Sequence, residues 1–276
     1  MNVTVIGLGL LGGSFALGLR EIEPNARITA VDLQEVLELP AARGAADGFI
    51  RASDAAAVDA AVAAADLTLL AAPVRRIVAI MPRVLAKARV LTDCGSTKRA
   101  IVAAAADSPR RGRFVPGHPM AGAPAGSIEL ARPDLFRGRR WLLCPEASDR
   151  DAVTLVEDLV RRLGAEPFRI DAAVHDRAVA LTSHATQLVA SALAAVALES
   201  GAQVTAGPAF EGATRVAGGP AEMWGDILAT NASEIEQALG ALTREIDLVR
   251  SGLRADPPDV EPALSLLARA RTLRRR

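Results

Sequence analysis

The chain has 276 residues, half of them apolar, and its formal net charge at neutral pH is zero. This length and composition allow one large or two ordinary domains with a substantial core, and the balanced charge does not favour a nucleic-acid partner. The two cysteines, Cys94 and Cys144, form no CxxC pattern, so reduced thiols in a cytoplasmic protein are expected.

The amino-terminal part of the chain alternates short apolar runs with alanine-rich helical stretches. Strands that alternate with helices are typical of βαβ units in a parallel sheet. Residues 1–170 are therefore predicted to form an α/β domain with a doubly wound, mostly parallel sheet. Its predicted strands cover 2–6, 27–31, 66–71, 89–92, 113–116 and 140–144, with an edge strand at 166–170. Its predicted helices cover 10–22, 54–64, 77–86 and 149–163.

The pattern changes after residue 171, where helical periodicity replaces the strand signals. Residues 171–276 are predicted to form an all-α domain, divided by a glycine-rich interruption at 207–219 and by the break Asp256-Pro257-Pro258. The predicted helices cover 172–200, 221–253 and 261–273.

The helix predicted at 221–253 carries an apolar face larger than one small helical domain needs, so a homodimer through this domain is predicted. The residues that share this face are Met223, Ile227, Leu228, Ile235, Leu239, Leu242, Ile246 and Val249.

Targeting and membrane signals are weak in this sequence. The chain opens without a basic segment, and Gly7 interrupts the first apolar run. The longest apolar stretch, 178–198, carries His184 and Gln187 and is interpreted as a buried helix rather than a membrane span. A cytoplasmic location and no membrane partner are expected.

A glycine-rich turn follows the first predicted strand and opens the first helix. Residues 7–12 read GLGLLG, a GxGxxG pattern that is weak alone and credible in this strand–turn–helix context. Gly7 permits the tight turn, Gly9 lets the backbone approach a pyrophosphate, and Gly12 allows the helix to pack on the strand. Free N–H groups and the helix dipole favour the negative charge there. A dinucleotide site is predicted, in preference to a turn that binds no cofactor.

Asp32 ends the second predicted strand, twenty residues after Gly12. A carboxylate there accepts hydrogen bonds from ribose hydroxyls and repels a 2′-phosphate, so NAD is predicted over NADP. A helix-capping role for Asp32 is compatible with this one. The residues expected to line the cofactor are Gly7, Gly9, Leu10, Leu11, Gly12, Asp32, Pro73 and Gly95.

Two polar motifs follow later strands of the same predicted sheet. They are TDCGSTK at 92–98, which contains Ser96, and GHPMAG at 117–122, which contains His118. Carboxyl ends of strands face the ligand cleft in open α/β sheets. A histidine between glycine and proline on such a loop is more easily explained by catalysis than by core packing.

Together with three further segments, these motifs resemble the prephenate/arogenate dehydrogenase family of tyrosine biosynthesis. The resembling segments are GLGLLGGS at 7–14, TDCGSTK at 92–98, GHPMAGAPAGS at 117–127, SHATQLVASAL at 183–193 and ATRVAGGPAEMWGDILATN at 213–231. They occur in the family's order across nearly the whole chain. The resemblance implies a Rossmann domain followed by an all-helical dimerisation domain.

The resemblance also implies roles for individual residues. His118 matches the catalytic histidine that takes the proton of the substrate's ring hydroxyl, and Ser96 matches the serine that orients it. Arg215 matches the arginine that holds a substrate carboxylate. His184 matches a histidine that lines the substrate pocket, and Trp224 a tryptophan whose role is either packing or substrate contact.

Two positions depart from the family pattern. Gln187 stands where many members carry a second pocket histidine, and it can hydrogen-bond but cannot titrate. Glu211 stands where some members have lysine, and a carboxylate there would repel a substrate carboxylate and suit an ammonium. These departures leave the choice between prephenate and arogenate open.

The implied reaction is the oxidative decarboxylation of prephenate to 4-hydroxyphenylpyruvate, with NAD as hydride acceptor. Aromatisation makes it strongly downhill, so no metal is expected, and alignment and one proton transfer are the enzyme's tasks. Alternatives are arogenate or dual-specificity cyclohexadienyl dehydrogenase, and a non-catalytic NAD-binding protein. A β-hydroxyacid dehydrogenase is disfavoured because 172–200 contains no lysine.

Overall fold

A six-stranded parallel sheet organises the amino-terminal part of the chain. The computed structural model describes residues 1–122 and 126–274. The strands, in chain order, are β1 (Asn2–Ile6), β2 (Arg27–Asp32), β3 (Gly48–Arg51), β4 (Leu67–Leu70), β5 (Leu91–Asp93) and β6 (Phe114–Val115). They lie in the order β3-β2-β1-β4-β5-β6, so the chain reverses direction across the sheet between β1 and β4. Ligands bind at such switch points in open α/β sheets.

Helices cover both faces of this sheet. They are α1 (Leu10–Ile22), α2 (Gln34–Leu37), α3 (Pro40–Ala45), α4 (Ala55–Ala64), α5 (Val74–Leu85) and α6 (Arg99–Ala105). One apolar cluster contains Phe15 and Leu19 of α1, and a second contains Ile77 and Met81 of α5. The doubly wound α/β fold predicted from the sequence is confirmed.

A second, three-stranded sheet follows the first. It consists of β7 (Gly117–Pro119), β8 (Arg140–Leu143) and β9 (Glu166–Arg169), and α7 (Arg150–Arg162) lies between β8 and β9 in the chain. β7 is antiparallel to β8, and β8 is parallel to β9. The strands predicted at 140–144 and 166–170 therefore exist but do not extend the main sheet. Their separate sheet holds β7, and with it His118, against Leu142.

The remainder of the chain is helical, as predicted. The helices are α8 (Ala172–Val179), α9 (Thr186–Glu199), α10 (Pro208–Thr214), α11 (Ala221–Thr230), α12 (Ala232–Arg254) and α13 (Glu261–Leu273). One π-helical turn, Ala180–Ala185, joins α8 to α9. The glycine-rich interruption contains α10, and the helix predicted at 221–253 is broken at Asn231. Of its predicted common face, Ile227 and Ile235 are buried.

Two residues of that predicted face, Met223 and Ile246, are exposed in the single chain. The break at Asn231 separates α11 from α12, so one continuous stripe does not describe both helices. The interpretation of 178–198 as a buried helix holds only for one side. The continuous helix Ala172–Glu199 has the length and composition of a membrane span, but it buries His175, Asp176, His184 and Gln187.

Candidate active site

The glycine turn lies between β1 and α1 at the switch point of the sheet. Gly7 adopts φ +100°, in the region that favours glycine, and a Cβ there would lie 2.5 Å from the carbonyl oxygen of Ala71. A Cβ on Gly12 would collide with the carbonyl oxygen of Gly7. The turn and the approach of α1 to it therefore both require glycine, as a pyrophosphate cradle does.

The groups around this turn fit NAD. The Asp32 carboxylate accepts hydrogen bonds from the N–H groups of Leu8 and Leu33, which holds it beside the turn at the end of β2. The N–H of Leu10 donates to the carbonyl of Gly126 at 2.8 Å, so a pyrophosphate that uses this amide has to displace that carbonyl. Leu11 is partly buried at the same helix end.

The other expected cofactor residues stand on neighbouring strand ends. Pro73 is exposed at the start of α5, directly after β4, and Gly95 is buried directly after β5. All carboxyl ends of β1, β4 and β5 lie at one edge of the sheet, since these strands are parallel. The cofactor roles of these residues remain predictions.

A fully buried ion pair lies beneath the loop after β5. The Lys98 ammonium bonds to the Asp93 carboxylate and to the carbonyl of Gly117. Asp93 also accepts hydrogen bonds from the N–H of Gly95 at 2.8 Å and the N–H of Gly117 at 2.9 Å. Neither charged side chain is exposed to solvent. This cluster ties β7 to the end of β5, and His118 is the next residue after Gly117.

His118 meets a second histidine from the helical part of the chain. Its Nδ1 lies 2.9 Å from Nε2 of His175 on α8, with the two rings edge to face. Burial, and after it the charges of His175, Lys98 and His184, hold the pKa of His118 well below its ordinary value of 6.5. His118 is therefore neutral at pH 7 and able to accept a proton.

The π-helical turn supplies a further wall of the site. Its His184 is buried, with Nδ1 3.2 Å from the Asn231 amide nitrogen, and its ring lies edge to face with Trp224. A Cβ on Gly219 would collide with Trp224 and would lie 3.3 Å from the Gln187 amide nitrogen. His184, Trp224 and Gln187, all expected pocket residues, therefore gather around one place. Burial lowers the pKa of His184 to about 4.

Three residues singled out in the sequence are not drawn into this network. Ser96 is partly exposed in the loop after β5, and no hydrogen bond links it to His118. Arg215 follows α10 and is exposed. Glu211 is exposed on α10. The described residues include no side-chain partner for any of the three. Residues 123–125 of the resembling segment 117–127 lie outside the described part of the chain.

Sequence reasoning missed the groups that join the two halves of the site. These are His175 and Asp176 on α8, Asn231 between α11 and α12, and the pair Asp93 and Lys98. A simple signal was available, since the chain has three histidines and one of them precedes an aspartate. π-Helical turns, such as the one that carries His184, are frequent at functional sites and have no sequence signature.

Comparison with known families accounts for most of the chain. Residues 15–168 match the model of the prephenate dehydrogenase nucleotide-binding domain. Residues 171–264 match the model of the prephenate dehydrogenase dimerization domain.

Individual relatives agree with the family match. The chain is 29% identical to prephenate dehydrogenase of Bacillus subtilis, over 91% of this chain and 69% of that protein. It is 28% identical to cyclohexadienyl dehydrogenase of Zymomonas mobilis, over 94% of this chain and 90% of that one. The fold resembles a prephenate dehydrogenase from A. aeolicus crystallised with hydroxyphenyl propionate and NAD+, with a TM-score of 0.83, 23% identity and coverage of 99% and 97% of the two chains.

Proposed function

The chain belongs to the prephenate dehydrogenase family and is an NAD-dependent oxidoreductase, and we propose that it converts prephenate to 4-hydroxyphenylpyruvate and CO2. One observation carries this assignment. His118 lies on β7, just after the carboxyl end of β6 in the parallel sheet, with its Nδ1 engaged by His175, and its other ring nitrogen is left to meet a substrate hydroxyl.

Bound NAD+ supplies the acceptor for the hydride of the substrate's carbinol carbon. His118 Nε2 takes the hydroxyl proton, and the electrons of that O–H bond form the ring carbonyl. Loss of CO2 leaves its electron pair in the ring, which becomes aromatic, and His118 returns the proton to the phenolate oxygen. A positioned general base of this kind contributes about 10²–10⁴-fold.

Substrate recognition is assigned to groups of the helical part. Arg215 holds a carboxylate, because its guanidinium can form two parallel charge-assisted hydrogen bonds. His184, Gln187 and Trp224 line the pocket. No hydrogen bond links Ser96 to His118, whose Nδ1 is taken by His175, so the orienting role that the resemblance implies for Ser96 stays a prediction. His184 contacts the substrate as a neutral ring, consistent with its depressed pKa.

The runner-up substrate is arogenate, which carries an ammonium where prephenate carries a keto group. Glu211 favours it, since an exposed carboxylate on α10 would attract an ammonium. The relative named cyclohexadienyl dehydrogenase makes activity on both substrates the third option. Gln187 supports neither choice, because its amide can donate to or accept from either side chain.

Initial rates of NADH formation with prephenate and with arogenate test the assignment. We expect a higher kcat/KM with prephenate. The variant H118N should keep NAD and substrate binding and lose most of kcat. Equal or higher kcat/KM with arogenate would move the assignment to the runner-up, and no NADH with either substrate would leave a non-catalytic NAD-binding protein.

We also propose that the functional unit is a homodimer, in which a second copy covers the apolar surface of the helical part. The family model for this region is described as a dimerization domain. Many large apolar side chains there are at least 42% exposed, which is costly in water; they include Val189, Leu193, Val196, Ile246, Leu248, Leu253, Leu264 and Leu267. Light scattering should give twice the 28.7 kDa of one chain; a mass of one chain would reject the dimer.

The boundary predicted at 170/171 and a cytoplasmic location belong to the same proposal. Residues 1–170 would bind NAD and residues 171–276 would supply substrate contacts and the dimer interface. Cell fractionation with a carboxyl-terminal tag checks the location, and recovery in the membrane fraction would contradict it.

A further inference from the structure

A chain of hydrogen bonds, here called the relay, runs from His118 through His175 to Asp176, across the boundary between the two parts of the molecule. His118 Nδ1 lies 2.9 Å from His175 Nε2, and His175 Nδ1 lies 2.8 Å from Asp176 Oδ1. Both His175 and Asp176 have no exposed side-chain surface. Solvent therefore cannot substitute for either partner in this chain.

The carboxylate at the far end of the chain is rigidly held. Asp176 Oδ1 accepts the N–H of Lys98 at 2.7 Å, and Oδ2 accepts the N–H of Arg99 at 2.8 Å. The backbone carbonyl of Asp176 accepts the Asn231 side-chain amide at 2.9 Å. Rotation of the carboxylate would break two bonds to backbone amides, so its position relative to His175 is fixed.

The ionisation of Asp176 follows from these contacts. Burial raises its pKa, but the hydrogen bonds from His175, Arg99 and Lys98 outweigh burial and hold the pKa below the ordinary value of 3.8. At neutral pH the carboxylate is charged and can only accept hydrogen bonds. His175 Nδ1 must therefore carry a hydrogen.

One carboxylate then determines the protonation pattern of both rings. In a neutral His175 with its hydrogen on Nδ1, Nε2 is an acceptor. His118 Nδ1 must donate to it and carries the hydrogen of the neutral His118 ring. The lone pair of His118 is consequently on Nε2, the nitrogen that faces away from His175. If His175 instead donated from Nε2, the hydrogen of a neutral His118 would sit on its own Nε2, and His118 could not act as a base there.

We propose that His175 and Asp176 are positioning residues that hold His118 in the tautomer with a free Nε2 and stabilise its protonated form during turnover. This inference rests on the proposed function, in which His118 takes the hydroxyl proton. The titratable groups that act on the pKa of His118 are His175 from α8, His184 from the π-helical turn and Lys98 before α6. The Asp176 carboxylate, reached through His175, offsets a positive charge on His118, while the Asp93 carboxylate is already paired with Lys98.

The tautomers can be observed directly, because the chain has only three histidines. We expect ¹⁵N NMR of histidine-labelled enzyme at pH 7.5, without substrate, to show hydrogen on Nδ1 and none on Nε2 for both His118 and His175. The variants H118N, H175Q and H184N assign the signals. Hydrogen on Nε2 of His118 in the wild-type enzyme would overturn the proposal.

The variant D176N tests the effect on catalysis. Its amide removes the negative charge that stabilises protonated His118, and where its NH₂ faces His175 Nδ1 it also forces the opposite tautomer on both rings. The expected loss of kcat is about 10²–10⁴-fold, with KM for prephenate within threefold of wild type. A D176N enzyme with kcat within threefold of wild type would contradict the proposal, and so would one in which only KM for prephenate rises.

Two comparisons separate positioning from simple structural support. D171A removes the side chain that caps α8 through the N–H groups of Ala173 and Val174 and leaves His175 and Asp176 in place, so we expect a lower Tm and kcat within twofold. H175Q offers His118 an acceptor oxygen, whereas H175F offers none. We expect H175Q to retain at least tenfold more kcat than H175F at comparable Tm; equal kcat values would reject the positioning role.

The two proposals can fail separately. The NMR measurement needs no substrate, so correct tautomers without NADH formation would reject the proposed function and keep the relay. NADH formation from prephenate together with hydrogen on His118 Nε2 would keep the function and reject the relay.

Discussion

Asp226 on α11 accepts two hydrogen bonds from Arg75 on α5, one from the guanidinium Nε at 2.7 Å and one from the backbone N–H at 3.1 Å. The second bond satisfies an amide in the first turn of α5, which has no partner within its own helix. A helical-domain carboxylate thus caps a helix of the nucleotide-binding domain. Because α5 begins directly after Pro73, this contact links the helical domain to the expected cofactor edge.

The variant D226A should therefore weaken both stability and ligand binding. It removes two hydrogen bonds to the exposed Arg75, at a cost of about 0.5–1.5 kcal/mol in the free energy of unfolding, and we expect KM for NAD to rise several-fold. Urea unfolding and initial rates measure the two effects. D247A serves as the control, since Asp247 forms an exposed i,i+3 pair with Arg250 and should change stability by less than about 0.5 kcal/mol. Equal effects of the two variants would show that the cap is unimportant.

Lys98 should be indispensable to stability although it lies outside the expected catalytic set. The variant K98M leaves the Asp93 carboxylate buried without its partner, and breaking a buried pair in this way costs about 3–5 kcal/mol. The only other lysine, Lys87, is 40% exposed and 3.6 Å from Asp59, so K87M should cost less than about 1 kcal/mol. Chemical unfolding of both variants makes the comparison.

The double variant D93N/K98M tests in a second way how much the pair of Asp93 and Lys98 contributes to stability. It removes the unpaired charge, so part of the stability lost in K98M should return. No recovery would mean that the carbonyl contact of Lys98 with Gly117, rather than the charge of Asp93, carries the energy.

The parts of the site that were predictable from the sequence are local. The glycine turn, Asp32 and the strand ends before Ser96 and His118 follow from short motifs in a strand–turn–helix context. β3 was missed because its four residues alternate between partly buried and exposed at the edge of the sheet, which weakens the apolar signal of a strand.

The contacts that complete the site are not local. His118 and His175 are 57 residues apart, and Lys98 lies 78 residues from Asp176. No periodicity encodes such a pairing, because it depends on how α8 packs against the loop after β5. The resemblance to known dehydrogenases singled out His118 and His184, which the structure brings close enough to interact electrostatically, and gave no hint of His175 and Asp176.

Histidine burial should make the protein less stable as the pH falls. The folded pKa of His184 is about 4, against an ordinary value of 6.5, so between these values the unfolded chain binds a proton that the folded chain does not. Stability is then full above pH 6.5 and declines as the pH falls towards 4. The shift corresponds to roughly 3 kcal/mol, and His118 acts in the same direction.

Urea unfolding of wild type and H184N at several pH values from 4.5 to 7.5 checks this. The slope of unfolding free energy against pH should be smaller in H184N, and smaller again in H118N/H184N. Parallel curves for the three proteins would assign the acid sensitivity to other groups.

Asp32 should control the choice between NAD and NADP. The variant D32N keeps an oxygen that can accept the Leu8 N–H and removes the charge that repels a 2′-phosphate. We expect the ratio of kcat/KM for NAD to that for NADP to fall at least tenfold. Arg51 lies directly across from Asp32 on β3, where an arginine can accommodate the 2′-phosphate of NADP. The double variant D32N/R51A should therefore lose part of the activity with NADP that D32N gains. An unchanged ratio in D32N would place cofactor discrimination elsewhere.

Arg215 should affect substrate binding rather than the chemical step. Its guanidinium is exposed, so removing it leaves no buried charge and should not destabilise the fold. Charge-assisted hydrogen bonds contribute about 1.5–3 kcal/mol, which corresponds to a rise in KM for prephenate of about 10–150-fold in R215A. R215K keeps the positive charge but cannot form two parallel hydrogen bonds to a carboxylate, so its KM should lie between those of wild type and R215A. Arg177, exposed on α8, provides the matched control R177A, with KM expected within twofold of wild type. If KM in R215A stays within twofold as well, the carboxylate is held by another residue, and a kcat that falls while KM is constant would instead make Arg215 part of the chemical step.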